Sequence, residues 1–234
     1  MRVVFTYVPI RLKSITELYL RYSISNLNKD GIVPILFSDK DYLVDLNLDY
    51  EWREIKIPER YKNGSFWQYA KILSLSKIDF PFCHLDNDLV VKDFSKIKIH
   101  PNKLNLAYKH PVKIEDQEIM SKIFSFYAQQ EISFNFLNNT CIISSSDWEK
   151  VNKANMEILQ IFEDNYDFFS KKYEGIPPTT LNQQFLNLYF SDINYLFEGN
   201  PEYHSIDKNG IAHIPDKILH KKIIEEIFGK MTLI

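Results

Sequence analysis

Apolar residues come in short runs whose spacing changes repeatedly from period two to helical period. Val3 to Tyr7 is a compact apolar run that reads as a first strand. Ser14 with Glu17 three residues later forms a capping box, and Ile15, Leu18, Tyr19, Tyr22 and Leu27 recur at helical spacing to about Asn28. Asp30-Gly31 breaks that helix. A second strand, Val33 to Phe37, ends at Ser38-Asp39, and the alternation from Trp52 to Ile57 predicts a third. Helical spacing returns from about Ser65 to Ile78, through Trp67, Ala70, Lys71, Leu73 and Leu75, and Phe82 to Val91 reads as a fourth strand.

Beyond residue 95 the pattern continues with a strand at Asn105 to Tyr108, a helix within 112–131 and a strand at Leu137 to Ile143. Ser146-Asp147 caps a long helix to about Ser170, and Pro177-Pro178-Thr179-Thr180 opens another through Tyr189. Tyr195 to Phe197 is a last strand, and a loop at His213 precedes a helix near Lys217 to Phe228. This order predicts an α/β fold, a mixed and mostly parallel sheet flanked by helices, in one continuous domain over residues 1–234. Ligands in such sheets sit beyond the carboxyl ends of the strands. If the first four strands run parallel, Tyr7 to Arg11, Ser38-Asp39, Ile57-Pro58 and Asp86 to Asp88 share one rim.

Composition narrows the function. The chain is 45% hydrophobic and 25% charged, ordinary for a protein with a sizeable core. Aromatic residues make up 15%, which predicts ring-lined clefts. A net charge of -3 supplies no basic field, so nucleic acid is not an expected partner. There are six glycines and no G-x-G-x-x-G or P-loop pattern. Cys83 and Cys141 both lie in apolar strand runs and read as buried thiols in a reducing cytoplasm. The N-terminus reads as a strand rather than a signal peptide, and no run approaches the roughly 20 apolar residues of a membrane span.

One stretch does not fit a plain buried strand. Asp86 and Asp88 interrupt the apolar run Phe82-Cys83-His84-Leu85-Asp86-Asn87-Asp88-Leu89-Val90-Val91. An unpartnered buried carboxylate is costly, and positions i and i+2 of a strand point the same way, so the pair can converge on one cation. Hard oxygens suit Mg²⁺ or Mn²⁺, which bind through one or two carboxylates plus substrate phosphates, and a histidine ligand tilts the choice to Mn²⁺. The plain reading is a strand end whose aspartates cap a turn.

In this arrangement the chain resembles the GT-A glycosyltransferases, especially the glycogenin and lipopolysaccharide-galactosyltransferase type. Lys71 on a helix, followed by an apolar strand ending Asp86-Asn87-Asp88, has that family's order, where Asp-x-Asp holds a metal on a nucleotide-sugar diphosphate. Leu137-Asn138-Asn139-Thr140-Cys141-Ile142-Ile143 is similar to its Phe-Asn-Ser-Gly-Val strand, Asn182-Gln183 to its Asp-Gln helix start, and His213 to the histidine before its lysine-bearing tail. The likeness spans residues 3 to about 222 and implies a nucleotide-binding half at 1–95 and an acceptor half with the tail at 96–234.

The resemblance implies that Asp86, Asp88 and His213 hold the metal. It places Lys71 on the diphosphate or a motif carboxylate, Tyr7, Arg11 and Asp39 near the nucleoside, and Asn138, Asn182 and Gln183 near the sugar or acceptor. Lys217 or Lys221 would neutralise the departing phosphate. The implied partners are a nucleotide-diphosphate sugar and a glycan acceptor in bacterial surface polysaccharide synthesis, in the cytoplasm or at the inner face of its membrane. Asn182 replaces the family's aspartate and Thr140 its glycine, and the tail's His-x-x-Gly is His213-Ile214-Pro215-Asp216 here. Without the carboxylate at 182 a retaining outcome is favoured over an inverting one. A HAD-type phosphatase also carries Asp-x-Asp after an apolar strand, but nearer the N-terminus and with Thr or Val where Leu89 stands. A catalytically silent domain of the same fold is the other rival.

Overall fold

A computed structural model describes residues 1–9, 13–43, 45–62, 67–111, 121, 125, 136–167 and 186–214. Nine strands lie within them: β1 (Arg2–Tyr7), β2 (Ile35–Ser38), β3 (Glu51–Glu54), β4 (Phe82–Leu85), β5 (Leu89–Val91), β6 (Leu104–Pro111), β7 (Phe136–Ser145), β8 (Ile193–Tyr195) and β9 (Ile211–His213). Seven form one sheet in the order β3-β2-β1-β4-β7-β6-β8, and β5 pairs with β9 in a second. Strands β3, β2, β1 and β4 are parallel. Strand β7 runs antiparallel to β4 and β6, and β8 is parallel to β6. The sheet is therefore mixed and mostly parallel, as the sequence pattern predicts.

Alternation along β1 explains the layering. Val3, Phe5 and Tyr7 pack with Leu20, Ile24 and Leu27 of α1 (Lys13–Lys29). Val4 faces the other way, into a core shared with α2 (Trp67–Leu75) and α3 (Trp148–Asp164), which contribute Ala70, Ile72, Leu75, Val151, Ala154 and Ile158. Asp147 caps α3, its Oδ1 accepting from Lys150 N at 3.2 Å, as expected from the sequence.

Several boundaries differ from the sequence expectation. The run 82–91 is two strands in different sheets, β4 and β5, joined by a turn in which Leu89 N donates to Asp86 O at 3.1 Å. The third strand stops at Glu54, because Ile57 N leaves the ladder to donate to Asp39 Oδ2 at 2.9 Å. Helix α1 already includes Ser14, and Glu17 accepts from the Tyr7 hydroxyl at 2.8 Å. The last strand of the large sheet is 193–195 rather than 195–197. His213 lies in a strand, β9, where a loop was expected. The helices expected at 177–189 and 217–228, and most of 112–131, fall outside the described residues apart from a 3-10 turn at Leu186–Leu188.

Candidate functional site

Strand order reverses between β1 and β4: the chain first adds β2 and β3 on one side of β1, then returns to its other side with β4. Ligands of open α/β sheets bind at the carboxyl ends beside such a switch. The turn 86–88 leaves β4 at that place. It is fixed to the neighbouring strand by Asp86 N, which donates to Cys141 O at 2.9 Å. Strand β5 is then carried onto α1, where Ser23 Oγ accepts from Val91 N at 2.9 Å and Asn26 Nδ2 donates to Val91 O at 2.9 Å. Two polar helix residues thus satisfy an edge that no further strand covers among the described residues.

The turn brings the two carboxylates together with a lysine and a histidine. Lys71 Nζ, only 2% exposed, lies 2.7 Å from Asp86 Oδ1 and donates to Thr140 O at 2.5 Å. Its helix position gives it reach from α2 across to β7. His213 Nε2 lies 3.3 Å from Asp88 Oδ2. His84, fully enclosed on β4, contacts Thr6 Oγ1 through Nε2 at 3.0 Å and directs Nδ1 toward Asp86 Oδ1 at 3.6 Å. The pair converges through the turn and not through the same-side alternation of a strand.

Charge and burial pull the two carboxyls apart. Burial pushes Asp86 up to about 6 and the Asp88 charge adds to this, while Lys71 opposes it. Burial acts on Asp88 too, but its bond to His213 and the charges of His213 and Lys71 outweigh it, so Asp88 ends below the usual carboxylate range. Burial, with Lys71 beside it, holds His84 well below the ordinary histidine value, so it stays neutral. Burial, then the two aspartates, push the Cys141 thiol up, leaving it an inert core residue.

Whether a cation fits is decided by unpartnered atoms. Asp88 Oδ1 is enclosed and has no hydrogen-bond partner among the described residues. Among the described residues no set of three His, Cys, Asp or Glu side chains forms a ready-made cage. Mg²⁺ and Mn²⁺ do not need one, because substrate phosphates and water fill most of their six positions. The enclosed Asp88 Oδ1 and the His213 nitrogen beside that carboxylate are donors such an ion accepts, with the Asp86 carboxylate two positions earlier in the turn. Asp86 is the less available of the pair, since Lys71 already occupies it.

Other sequence candidates are placed more variously. Tyr7 is buried at the same rim with its hydroxyl committed to Glu17. Asp39 is also at the rim, but its two oxygens accept from Asp41 N at 3.1 Å and Ile57 N at 2.9 Å, so it clasps the end of β2 to the chain beyond β3. Asn138 is fully buried, donating to Asn187 Oδ1 at 2.7 Å and accepting from the Tyr195 hydroxyl at 2.7 Å. Arg11, Asn182, Gln183, Lys217 and Lys221 lie outside the described residues. Residues that sequence reasoning passed over are Tyr108 and Asn200, both beside His213 Nδ1, and Thr140 as a partner of Lys71. Nothing in the sequence marks Asn200, whereas His84, two positions before Asp86 on a strand, was open to notice.

Fold and site together define an α/β protein with an acidic, cation-compatible centre at the switch point of a mixed, mostly parallel sheet. Solved structures similar to it are glycosyltransferases. The galactosyltransferase LgtC in complex with donor and acceptor sugar analogs is 11% identical, with 93% of this chain and 88% of that chain covered and a TM-score of 0.48. An active-site mutant of LgtC gives 11% identity, 92% and 88% coverage and a TM-score of 0.49. The apo form of mouse xyloside xylosyltransferase 1 gives 9%, 92%, 97% and 0.47. Likeness at this level is one of outline and assigns no role to any residue. No family model and no curated protein matches the sequence.

Proposed function

We propose that this protein is a divalent-metal-dependent glycosyltransferase that moves a hexosyl group from a nucleotide-diphosphate sugar to a glycan hydroxyl. The observation that carries the reading is Asp88 Oδ1, enclosed and without a partner among the described residues, in a turn it shares with Asp86 and against His213. An acceptor buried without a partner costs about 1–3 kcal/mol, more for a charged group, and a hard cation removes that cost. The order of the four sequence motifs supports a sugar nucleotide as the molecule that completes the coordination.

On this reading Asp86, Asp88 and His213 hold Mn²⁺ or Mg²⁺, which when bound supplies charge neutralisation on the diphosphate leaving group. Lys71 locks Asp86 to β7 through Thr140 and keeps a positive charge beside the carboxylates. Asn138, Asn182 and Gln183 serve the sugar and the acceptor, with Arg11 and the rim beside Tyr7 and Asp39 serving the nucleoside. Lys217 or Lys221 meets the departing phosphate. The acceptor belongs to surface polysaccharide synthesis in a bacterial cytoplasm.

Calorimetry of UDP and GDP with and without Mn²⁺ tests this. Metal-dependent binding is expected in the native protein and is expected to be lost in D88N and in the double variant D86A/D88A, with circular dichroism checking that both remain folded. Release of free diphosphate from a nucleotide sugar completes the case. No binding of either nucleotide would sink the donor site, and hydrolysis of a phosphomonoester without nucleotide binding would mark a phosphatase.

A further inference from the structure

Resting on the donor site of the preceding section, we propose that Gln68 binds a hydroxyl of the transferred sugar through its side-chain amide. Gln68 stands in the first turn of α2, three residues before Lys71, so the two side chains share one face of the helix. That face is buried along its length: Gln68 is 3% exposed, Lys71 2%, and Ile72 and Leu75 are fully enclosed. Helix α2 leads from β3 to β4, which run parallel, so its first turn lies toward the carboxyl ends of the strands. Lys71 already reaches the turn that follows β4. Gln68 therefore sits one helical turn nearer the rim, about 5.4 Å along the axis, and its Cα–Cβ bond tilts the same way.

An amide is a costly choice there unless something binds to it. Gln68 Oε1 is enclosed and has no hydrogen-bond partner among the described residues, and an apolar side chain of the same shape would avoid that desolvation. Two more enclosed oxygens without a partner among those residues, Asn87 Oδ1 and Asp88 Oδ1, belong to the turn whose first carboxylate Lys71 holds. Acceptors gathered in this way call for a ligand that brings donors, with a cation for the carboxylate. Sugar hydroxyls supply them. A hydroxyl both donates and accepts, so the match holds whichever way the Gln68 amide is turned. Strand order says which part of the donor arrives there. The lysine on Gln68's face reaches Thr140 of β7, across β4 from the ends of β1 and β2. With the nucleoside at those two ends and the diphosphate on the metal, the side toward β7 is left for the sugar.

Q68L keeps the size of the side chain and removes its amide. Thermal unfolding of the ligand-free protein is expected to give Q68L a melting temperature equal to native or above it, because no protein hydrogen bond is lost. Calorimetry with Mn²⁺ then compares free UDP and GDP with UDP-glucose, UDP-galactose and GDP-mannose. Q68L is expected to bind the free diphosphates within about two-fold of native and the sugar nucleotides that native binds about 10-fold more weakly, the loss of one hydrogen bond. A purely structural glutamine would instead lower the melting temperature by several degrees or weaken free diphosphate and sugar nucleotide alike, and either result overturns the proposal. Unchanged sugar-nucleotide affinity in Q68L overturns it too, as does native protein that holds UDP or GDP yet binds none of the three sugar nucleotides. In these cases the donor site stands without Gln68. Native protein that binds no nucleoside diphosphate removes the donor site itself, and the role of Gln68 with it.

Discussion

Asp86 feels opposing influences: enclosure that disfavours its charge and Lys71 that favours it. Its carboxyl in the folded protein is pushed up to about 6, above the ordinary 3.8. A carboxyl raised in this way adds stability that is fully present below the unfolded value and is lost as pH rises through the folded one. Replacing Lys71 by Met removes the opposing charge, so the folded value climbs further and the loss extends to higher pH. In metal-free buffer K71M is therefore expected to be destabilised by about 3–5 kcal/mol at pH 7.5, the range for breaking a buried ion pair, and by clearly less at pH 5. Urea unfolding at the two pH values checks this; an equal loss at both would show that Lys71 does not act through the Asp86 charge. The two aspartates and Lys71 are visible in the sequence as residues, but the partition of roles is not. It depends on which oxygen each cation reaches.

The strand carrying His213 depends on a glycine rather than on hydrophobic pattern. Gly210 ends a one-turn helix, α4 (Ile206–Asn209), with φ 73°, and its carbonyl accepts from both Lys92 N at 2.8 Å and Asp93 N at 2.9 Å. A Cβ there would meet Asp93 O at 2.0 Å. That oxygen belongs to a residue of the same clasp, since Asp93 N donates to the Gly210 carbonyl. G210A is expected to cost about 2–4 kcal/mol from left-handed strain and overpacking, lowering the melting temperature by roughly 5–10 °C and loosening His213. Differential scanning calorimetry decides it, and a melting temperature within a degree of native would show that the clasp yields. Three-residue strands such as β5 and β9 were not legible as a pair, because each is too short for an alternation to register and their partnership spans more than a hundred residues. The longer elements were legible. Helices α1 and α3 and strands β1, β4 and β7 carry enough apolar positions to declare their period, with errors of a few residues where tertiary bonds, such as Ile57 N to Asp39, end an element early.

At the scale of the molecule, the two halves expected at 1–95 and 96–234 are interleaved. Strand β7 from the second half sits between β4 and β6, and β9 pairs with β5 of the first. Both faces of β4 are buried, with Ile143 of β7 joining the core on the side of Phe82 and Ile142 the core on the side of Cys83 and Leu85. One cooperative unfolding transition is expected, with a fragment of residues 1–95 failing to hold protected amides in β4. Hydrogen exchange on the fragment measures this, and native-like protection of Cys83 to Leu85 would show that the halves fold separately.

Local periodicity determined which segments form strands and helices, because a period of two or 3.6 residues is written into neighbouring positions. It also placed Asp86 and Asp88 at the end of an apolar strand, since charge in such a run is a local anomaly. Only the tertiary structure decided that the pair lies on a turn between two sheets, that Lys71 holds one carboxylate and that His213 faces the other. These contacts join residues 15 and 125 positions apart, and distance in space between such residues is set by the packing of the whole sheet. The partner of His213 Nδ1 was beyond any local signal, because an asparagine in a polar loop looks the same in sequence whether or not a ring lies beside it.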